Sequence, residues 1–282
     1  MTVREGRLEN DGMGNRPMPT IRVVVHGAAG RMGREALNAL CCDSELEAVG
    51  AVDLKAERDR LLLPDGSGEI PFSTDLEAIL SRSRPDVMVD FTIAEATMPA
   101  VRLAVKAGVN LVIGTTGLSS SDVEEIDKLC RESSVGAVAA PNFSLGAVLM
   151  IHMAKLAARY FDYAEVIEMH HEGKADAPSG TALTTARAMV EARGKPFRYP
   201  DLEKESLSGT RGGQIEGVGL HSVRLPGLLA HQEVILGATG QTLTIRHDSI
   251  SRESFMPGVI MAIKRVVNIK GLVYGLESLL GL

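Results

Sequence analysis

A glycine-rich turn between an apolar strand and a helix constrains this 282-residue chain more than any other feature. Ile21 to His26 is a short apolar run, and Arg31 to Leu40 has helical periodicity. Between and into them runs Gly27-Ala28-Ala29-Gly30-Arg31-Met32-Gly33. Small side chains there let the backbone approach a pyrophosphate, whose charge is met by the amides of the helix N-terminus. The spacing is GxxGxxG rather than GxGxxG. Its setting adds weight, because Asp53 closes the next strand, Leu46 to Asp53, twenty residues past Gly33. An acid at that point accepts hydrogen bonds from the adenosine ribose hydroxyls. The four features in register predict a dinucleotide site at Gly27, Ala28, Ala29, Gly30, Arg31, Met32 and Asp53. Asp53 repels a 2′-phosphate, whereas Arg31 and Lys55 offset that repulsion, so NADH and NADPH both stay open.

Strands and helices keep alternating beyond Asp53. Residues 54 to 72 show no clear element, and Pro64, Asp65, Gly66 and Gly68 mark a loop within them. Then come a helix from Asp75, a strand from Asp86 to Phe91, and a helix from Ala94 to Ala107 ended by Gly108. A strand at Asn110 to Ile113, a helix at Ser119 to Glu132 and a strand at Val135 to Ala139 complete the series. Such alternation implies a parallel, doubly wound, Rossmann-like α/β sheet. Its carboxyl-end loops are where ligands bind. That rule adds Gly114, Thr115 and Thr116, and Ala140, Pro141, Asn142 and Phe143, to the cofactor candidates.

After about residue 145 the pattern changes. A long helix (Leu145 to Tyr160), a strand (Ala164 to Met169) and a helix from Ser179 to Gly194 precede a charged, glycine-bearing loop over 195 to 219. Strands at Gly219 to Arg224, Gln232 to Leu236 and Gln241 to His247 follow, the last two forming a hairpin with an apolar face at Val234, Leu236, Leu243 and Ile245. This half reads as an α+β domain with a mixed or antiparallel sheet whose apolar face needs cover. A last helix, Ser254 to Val267, returns to the first domain. The expected division is therefore 21–143 with 252–282 for the dinucleotide, and 144–251 for substrate and oligomerisation. Residues 1–20, polar and rich in Gly and Pro, read as a disordered leader.

Composition removes several classes of function. A net charge of −6 and aromatics at 4% without Trp disfavour a nucleic-acid surface. No apolar run approaches the ~20 residues of a membrane span. Cys41, Cys42 and Cys130 are odd in number and lack zinc spacing, which suits a reduced, cytoplasmic setting.

The chemistry concentrates in Glu168-Met169-His170-His171-Glu172-Gly173-Lys174-Ala175-Asp176-Ala177-Pro178-Ser179-Gly180-Thr181. Ser179 is a natural N-cap, and the amides of Gly180 and Thr181 then point out of the helix toward an anion such as a carboxylate. Lys174 adds a point charge, and a histidine tuned near neutrality exchanges protons. No second His or Cys cluster completes a metal site, so no metal is expected.

His170-His171-x-x-Lys174-x-Asp176-x-Pro178-Ser179-Gly180-Thr181 resembles the signature of the 4-hydroxy-tetrahydrodipicolinate (dihydrodipicolinate) reductases of bacterial lysine biosynthesis. The likeness extends over Gly27 to Gly33, Gly114 to Gly117, Ala140 to Ser144 and Gly219 to Arg224, and so covers most of residues 21 to 270. It implies an NAD(P)H-dependent reductase of a small dicarboxylate. His170 would be its proton donor or acceptor and Lys174 its second proton donor, with His171, Lys174, Gly180 and Thr181 on the substrate carboxylates. It also implies a homotetramer built through the C-terminal sheet. Many members carry Arg after the ribose-binding acid, where this chain has Leu54. Two other readings compete: another two-domain dehydrogenase, and a dinucleotide sensor without catalysis. The first is disfavoured by Gly114-Thr115-Thr116, where sugar dehydrogenases usually place Glu-Lys-Pro. The second would need no His-Lys segment.

Overall fold

The computed structural model describes residues 20–201 and 203–282. The expected leader, apart from Thr20, lies outside them. In chain order the first half contains β1 (Ile21–His26), α1 (Arg31–Cys41), β2 (Leu46–Val52), β3 (Arg60–Leu62), β4 (Glu69–Ser73), α2 (Leu76–Ser83), β5 (Val87–Asp90), α3 (Ala94–Lys106), β6 (Asn110–Ile113), α4 (Ser120–Ser133) and β7 (Gly136–Ala139). The second contains α5 (Leu145–Ala158), β8 (Tyr163–His170), α6 (Gly180–Arg193), β9 (Gly213–Ile215), β10 (Val218–Arg224), β11 (Ala230–Ala238), β12 (Gln241–Ser249), a 3-10 turn (Arg252–Phe255), α7 (Met256–Val266), β13 (Gly271–Tyr274) and α8 (Leu276–Leu280).

Strands of the first half are apolar at nearly every position, as burial on both faces requires. Along β1, Val23 and Val25 join a core shared with α1 and α7, while Val24 joins a core on the opposite face with α2, α3 and α4. Val112 against Leu111 and Ile113, and Val138 against Ala137 and Ala139, divide in the same alternating way. The sheet order is β13-β7-β6-β5-β1-β2-β4-β3, parallel throughout except for β3 against β4. The order reverses between β1 and β5, so their carboxyl-end loops flank the crevice where a doubly wound sheet binds ligands.

Two strands flank the loop marked by Pro64, Asp65, Gly66 and Gly68. Ile70 and Phe72 alternate into the first core, and β3 pairs antiparallel with β4 as the sheet's edge. Their signal was too short to stand out among the surrounding turn residues. β13 and α8, at Gly271–Tyr274 and Leu276–Leu280, are likewise too short to carry a clear periodicity. β13 pairs parallel with β7, next to α7, which begins at Met256 rather than Ser254.

The second sheet is mixed, in the order β12-β11-β8-β10-β9. β8 and β10 are parallel with α6 between them in the chain, and β11 is antiparallel to both β8 and β12. Val166, Val234 and Leu236 face a third core with Met150, Ala154, Ala186 and Met189 of α5 and α6. The hairpin's apolar face is covered only in part. Val234 and Leu236 are buried and Ile245 packs against the same core, but Leu243 on the edge strand is 38% exposed. Residues Ile167, Met169 and Ile235 point from the other side of the sheet, away from that core.

Candidate active site

The first strand-to-helix turn fits a dinucleotide for steric reasons. Gly27 has φ +83°, and a Cβ there would stand 2.5 Å from the Phe91 carbonyl oxygen. A Cβ on Gly33 would stand 2.1 Å from the Gly27 carbonyl oxygen. Nothing larger than hydrogen fits at Gly33, and the β1 and β5 loops touch across Gly27. No side chain caps α1 at Gly30, whereas α2, α4, α5 and α6 are capped by Asp75, Ser119, Ser144 and Ser179. The first amides of α1, at Arg31 to Gly33, are thus left for a ligand. Asp53 accepts hydrogen bonds from the Ala29 amide at 2.9 Å and the Lys55 amide at 2.9 Å, which places its carboxylate at the turn. Leu54 beside it is 91% exposed.

The other cofactor candidates divide between cleft and support. Thr116, Pro141 and Asn142 line the cleft. Ala28, Ala140 and Phe143 are buried, and Phe143 meets the Phe91 ring edge-on with centroids 6.4 Å apart. The Thr115 hydroxyl is turned inward to Asp90 at 3.0 Å. Sequence reasoning passed over this Asp90, although it is fully buried at the carboxyl end of β5. It also receives the Thr97 hydroxyl at 2.6 Å and the Thr92 hydroxyl at 2.7 Å, and lies 2.9 Å from His26 Nδ1. One carboxylate therefore joins the loops after β1, β5 and β6. Burial pushes its pKa up, but His26 and the threonine hydroxyls outweigh that and hold it below the usual carboxylate range.

Across the cleft stands the His-Lys segment. His170 ends β8, and Ser179 caps α6 by accepting from the Ala182 amide, which leaves the amides of Gly180 and Thr181 free of that cap. Lys174 Nζ donates to Asp176 Oδ1 at 2.6 Å. His170, Lys174, Asp176, Ser179, Gly180 and Thr181 line a cleft of about 720 Å³ with Thr116, Pro141 and Asn142 from the first half. A volume of that order suits a small ligand beside part of a cofactor. His171 is not among the residues that line it; one position further along the strand direction, its ring lies near Gly173.

Two contributions were invisible in the sequence. Tyr274, Leu276 and Glu277, at the chain's far end, form part of the cleft wall. Behind His170 lies a small cavity of about 40 Å³ bordered by Ser144, His231, Gln232, His247 and Ser249. Both arise from pairings distant in the chain, β13 with β7 and β11 with β8. The Glu168–His170 pairing was legible in principle, since residues two apart on a strand share a face. His170 Nδ1 lies 2.5 Å from Glu168 Oε2.

Residues 21–143 match the family model for the N-terminus of dihydrodipicolinate reductase, and residues 146–280 match that for its C-terminus. The chain belongs to the dihydrodipicolinate reductase family. Named 4-hydroxy-tetrahydrodipicolinate reductases from Dehalococcoides mccartyi and Moorella thermoacetica are 58% and 52% identical to it. The alignments cover 94% and 93% of this chain and 100% and 98% of those relatives. A dipicolinate-bound dihydrodipicolinate reductase from a Paenisporosarcina species superposes with a TM-score of 0.82 at 42% identity, over 92% of this chain and 99% of that one. As a family member the chain is an NAD(P)H-dependent oxidoreductase that reduces 4-hydroxy-tetrahydrodipicolinate to tetrahydrodipicolinate, in the diaminopimelate route to lysine. Among the described residues, no helix is long and apolar enough to cross a membrane.

Proposed function

We propose that this chain performs the family's reduction in the cleft between its two halves, with His170 and Lys174 as proton carriers and the start of α6 as the carboxylate grip. The observation that carries this reading is convergence. Thr116, Pro141 and Asn142 on the dinucleotide side meet His170, Lys174, Gly180 and Thr181 in one cavity. The dicarboxylate substrate loses its hydroxyl as water and takes up one hydride and one proton. When bound, the nicotinamide supplies the hydride. The amides of Gly180 and Thr181 and the Lys174 ammonium neutralise substrate carboxylates, with His171 assisting from the start of the loop that carries Lys174. Lys174 leaves Asp176 to do so, exchanging one carboxylate for another. His170 and Lys174 are the groups within the cleft able to hand over the proton. Burial lowers the His170 pKa, Glu168 opposes that, and Lys174 and Arg224 add to the lowering, so an imidazolium formed there gives up its proton more readily than a free one.

On the dinucleotide side, Gly27 to Met32 would hold the pyrophosphate and Asp53 the adenosine ribose. Gly114 to Thr116 and Ala140 to Phe143 would border the nicotinamide half. An exposed Leu54, where an arginine would read a 2′-phosphate, supports NADH as a substrate at least equal to NADPH. The same reading divides the chain into 21–143 with 252–282, and 144–251; its support is the membership of β13 in the first sheet. It also makes the enzyme a homotetramer, supported by a second sheet whose far face presents Ile167, Met169 and Ile235. A cytoplasmic site of action fits the nicotinamide requirement and three free cysteines.

The test is spectrophotometric. The condensation product of pyruvate and aspartate semialdehyde is supplied, and oxidation of NADH and of NADPH is followed in separate cuvettes. Consumption of NADH at a rate matching or exceeding NADPH is the expected result. Consumption of neither would remove the proposal.

A further inference from the structure

Glu168 occupies a position unlike that of any other acid near the cleft. Its side chain is 1% exposed, yet it makes four close polar contacts. Arg224 from β10 grips it with two bonds, Nη1 to Oε2 at 2.9 Å and Nη2 to Oε1 at 2.8 Å. This bidentate geometry is the strongest available to a carboxylate. His170 Nδ1 stands 2.5 Å from Oε2, and the Ser179 amide donates to Oε1 at 3.2 Å. Arg224 Nη2 also donates to the Asp176 carbonyl at 2.6 Å, and Asp176 in turn holds Lys174. One buried ion pair thus touches the histidine, the lysine loop and the helix end that grips carboxylates.

The chemistry of the pair decides the histidine tautomer. Burial pushes the Glu168 pKa up, but its hydrogen bonds, led by those from Arg224, outweigh burial and keep it below the usual carboxylate range. An ionised carboxylate only accepts, so the hydrogen in the short contact sits on His170 Nδ1. Nε2 is then the nitrogen free to exchange a proton with a ligand.

We propose that Glu168, clamped by Arg224, is the positioning residue of this active site, holding His170 as its Nδ1–H tautomer and keeping the lysine loop and the start of α6 in register with it. The proposal deepens the reading of His170 as a proton carrier and rests on it. Groups facing the ring besides Glu168 are Arg224 from β10, Lys174 and Asp176 from the loop and His247 from β12, which borders the same small cavity. Removing the Glu168 charge deletes the one influence that raises the His170 pKa and leaves burial, Lys174 and Arg224 to lower it.

The experiment compares the wild-type enzyme, Glu168→Gln, and the double variant Glu168→Gln/Arg224→Met. His170 ring nitrogens are followed by ¹⁵N NMR, assigned by loss of the signal in His170→Gln, and kcat and KM are measured against pH. The wild type should show a protonated Nδ1 in the neutral ring, and Glu168→Gln should lose that preference. In Glu168→Gln, kcat should fall by about tenfold or more, while KM for the dinucleotide stays put. The pH limb assigned to His170 should move to lower pH. A lone Arg224 left in the interior can unfold the single variant; the double variant removes both charges and restores melting temperature. The double variant should still lack the tautomer and the turnover. The proposal is overturned if Glu168→Gln keeps both, or if the double variant regains turnover together with stability, because the pair would then only hold the fold. A wild-type enzyme inactive on the condensation product would defeat the functional reading, while the ring tautomer would still decide the role of Glu168.

Discussion

Lys174 and Asp90 are both held by hydrogen bonds, but only one of them is held in a position to leave its partner. Lys174 pairs with Asp176, a carboxylate more than half exposed, so an incoming diacid can replace that partner at little cost. Lys174→Met should lower kcat/KM by about 100-fold or more and leave the dinucleotide dissociation constant, read by fluorescence titration, within about twofold of wild type. A dinucleotide sensor would show no change in any property. Asp90 is different: buried, triply bonded to threonine hydroxyls and next to His26, it organises the cofactor loops without reaching a ligand. Asp90→Asn should cost about 1–3 kcal/mol at neutral pH. Because its folded-state pKa lies below the unfolded value, its stabilisation is complete above about pH 4–5 and is lost as pH falls through the depressed value. Urea melts of wild type and variant should therefore converge as the pH is taken from 6 toward 3; a constant gap would contradict the assignment.

At the scale of elements, both proposed ligand grips are helix starts, those of α1 and α6. Four helices begin with a side-chain cap that satisfies their own amides, and α1 begins with Gly30, which cannot. Gly33→Ala places a methyl 2.1 Å from the Gly27 oxygen, forcing α1 away from β1. The expected result is a loss of about 1–3 kcal/mol of stability and weakened dinucleotide binding, checked by thermal melts with and without NADH. Ser179 both caps α6 and orients the free amides beyond it. Ser179→Ala should cost about 0.5–2 kcal/mol and raise KM for the dicarboxylate more than for the cofactor. These features were legible because caps and turn glycines are local. The strands β3, β9 and β13 were not, since three or four residues of weak alternation gain their meaning only from a neighbour such as β4, β10 or β7.

On the scale of the whole molecule, the second sheet has helices α5 and α6 on one face and, among the described residues, none on the other. Ile167, Met169 and Ile235 stand on that open face among the pairs Arg246–Glu233 and His231–Asp248. If copies of the chain cover it, Ile235→Asp should shift the mass measured by light scattering below that of a tetramer while leaving far-ultraviolet circular dichroism unchanged. An unaltered mass would place any interface elsewhere. The return of α7 and β13 to the first sheet has a further effect on function. It brings Tyr274 and Glu277 to the cleft, so the last residues of the chain border the same cavity as its first half.

Local order was written in the sequence: the strand-turn-helix at Gly27, the acid at Asp53, the cap at Ser179 and the clustered His170 and Lys174 each depend on residues near one another in the chain. A glycine's freedom, a hydroxyl's reach to the next amide and a strand's alternation act over a few residues, so they need no knowledge of the fold. What the tertiary structure alone decided is which distant groups share an interior. The register that sets Arg224 beside His170, and the sheet order that joins His26, Asp90 and Thr115, follow from long-range packing rather than from spacing. The buried charges that tune this site could be paired only after the strands had been laid side by side.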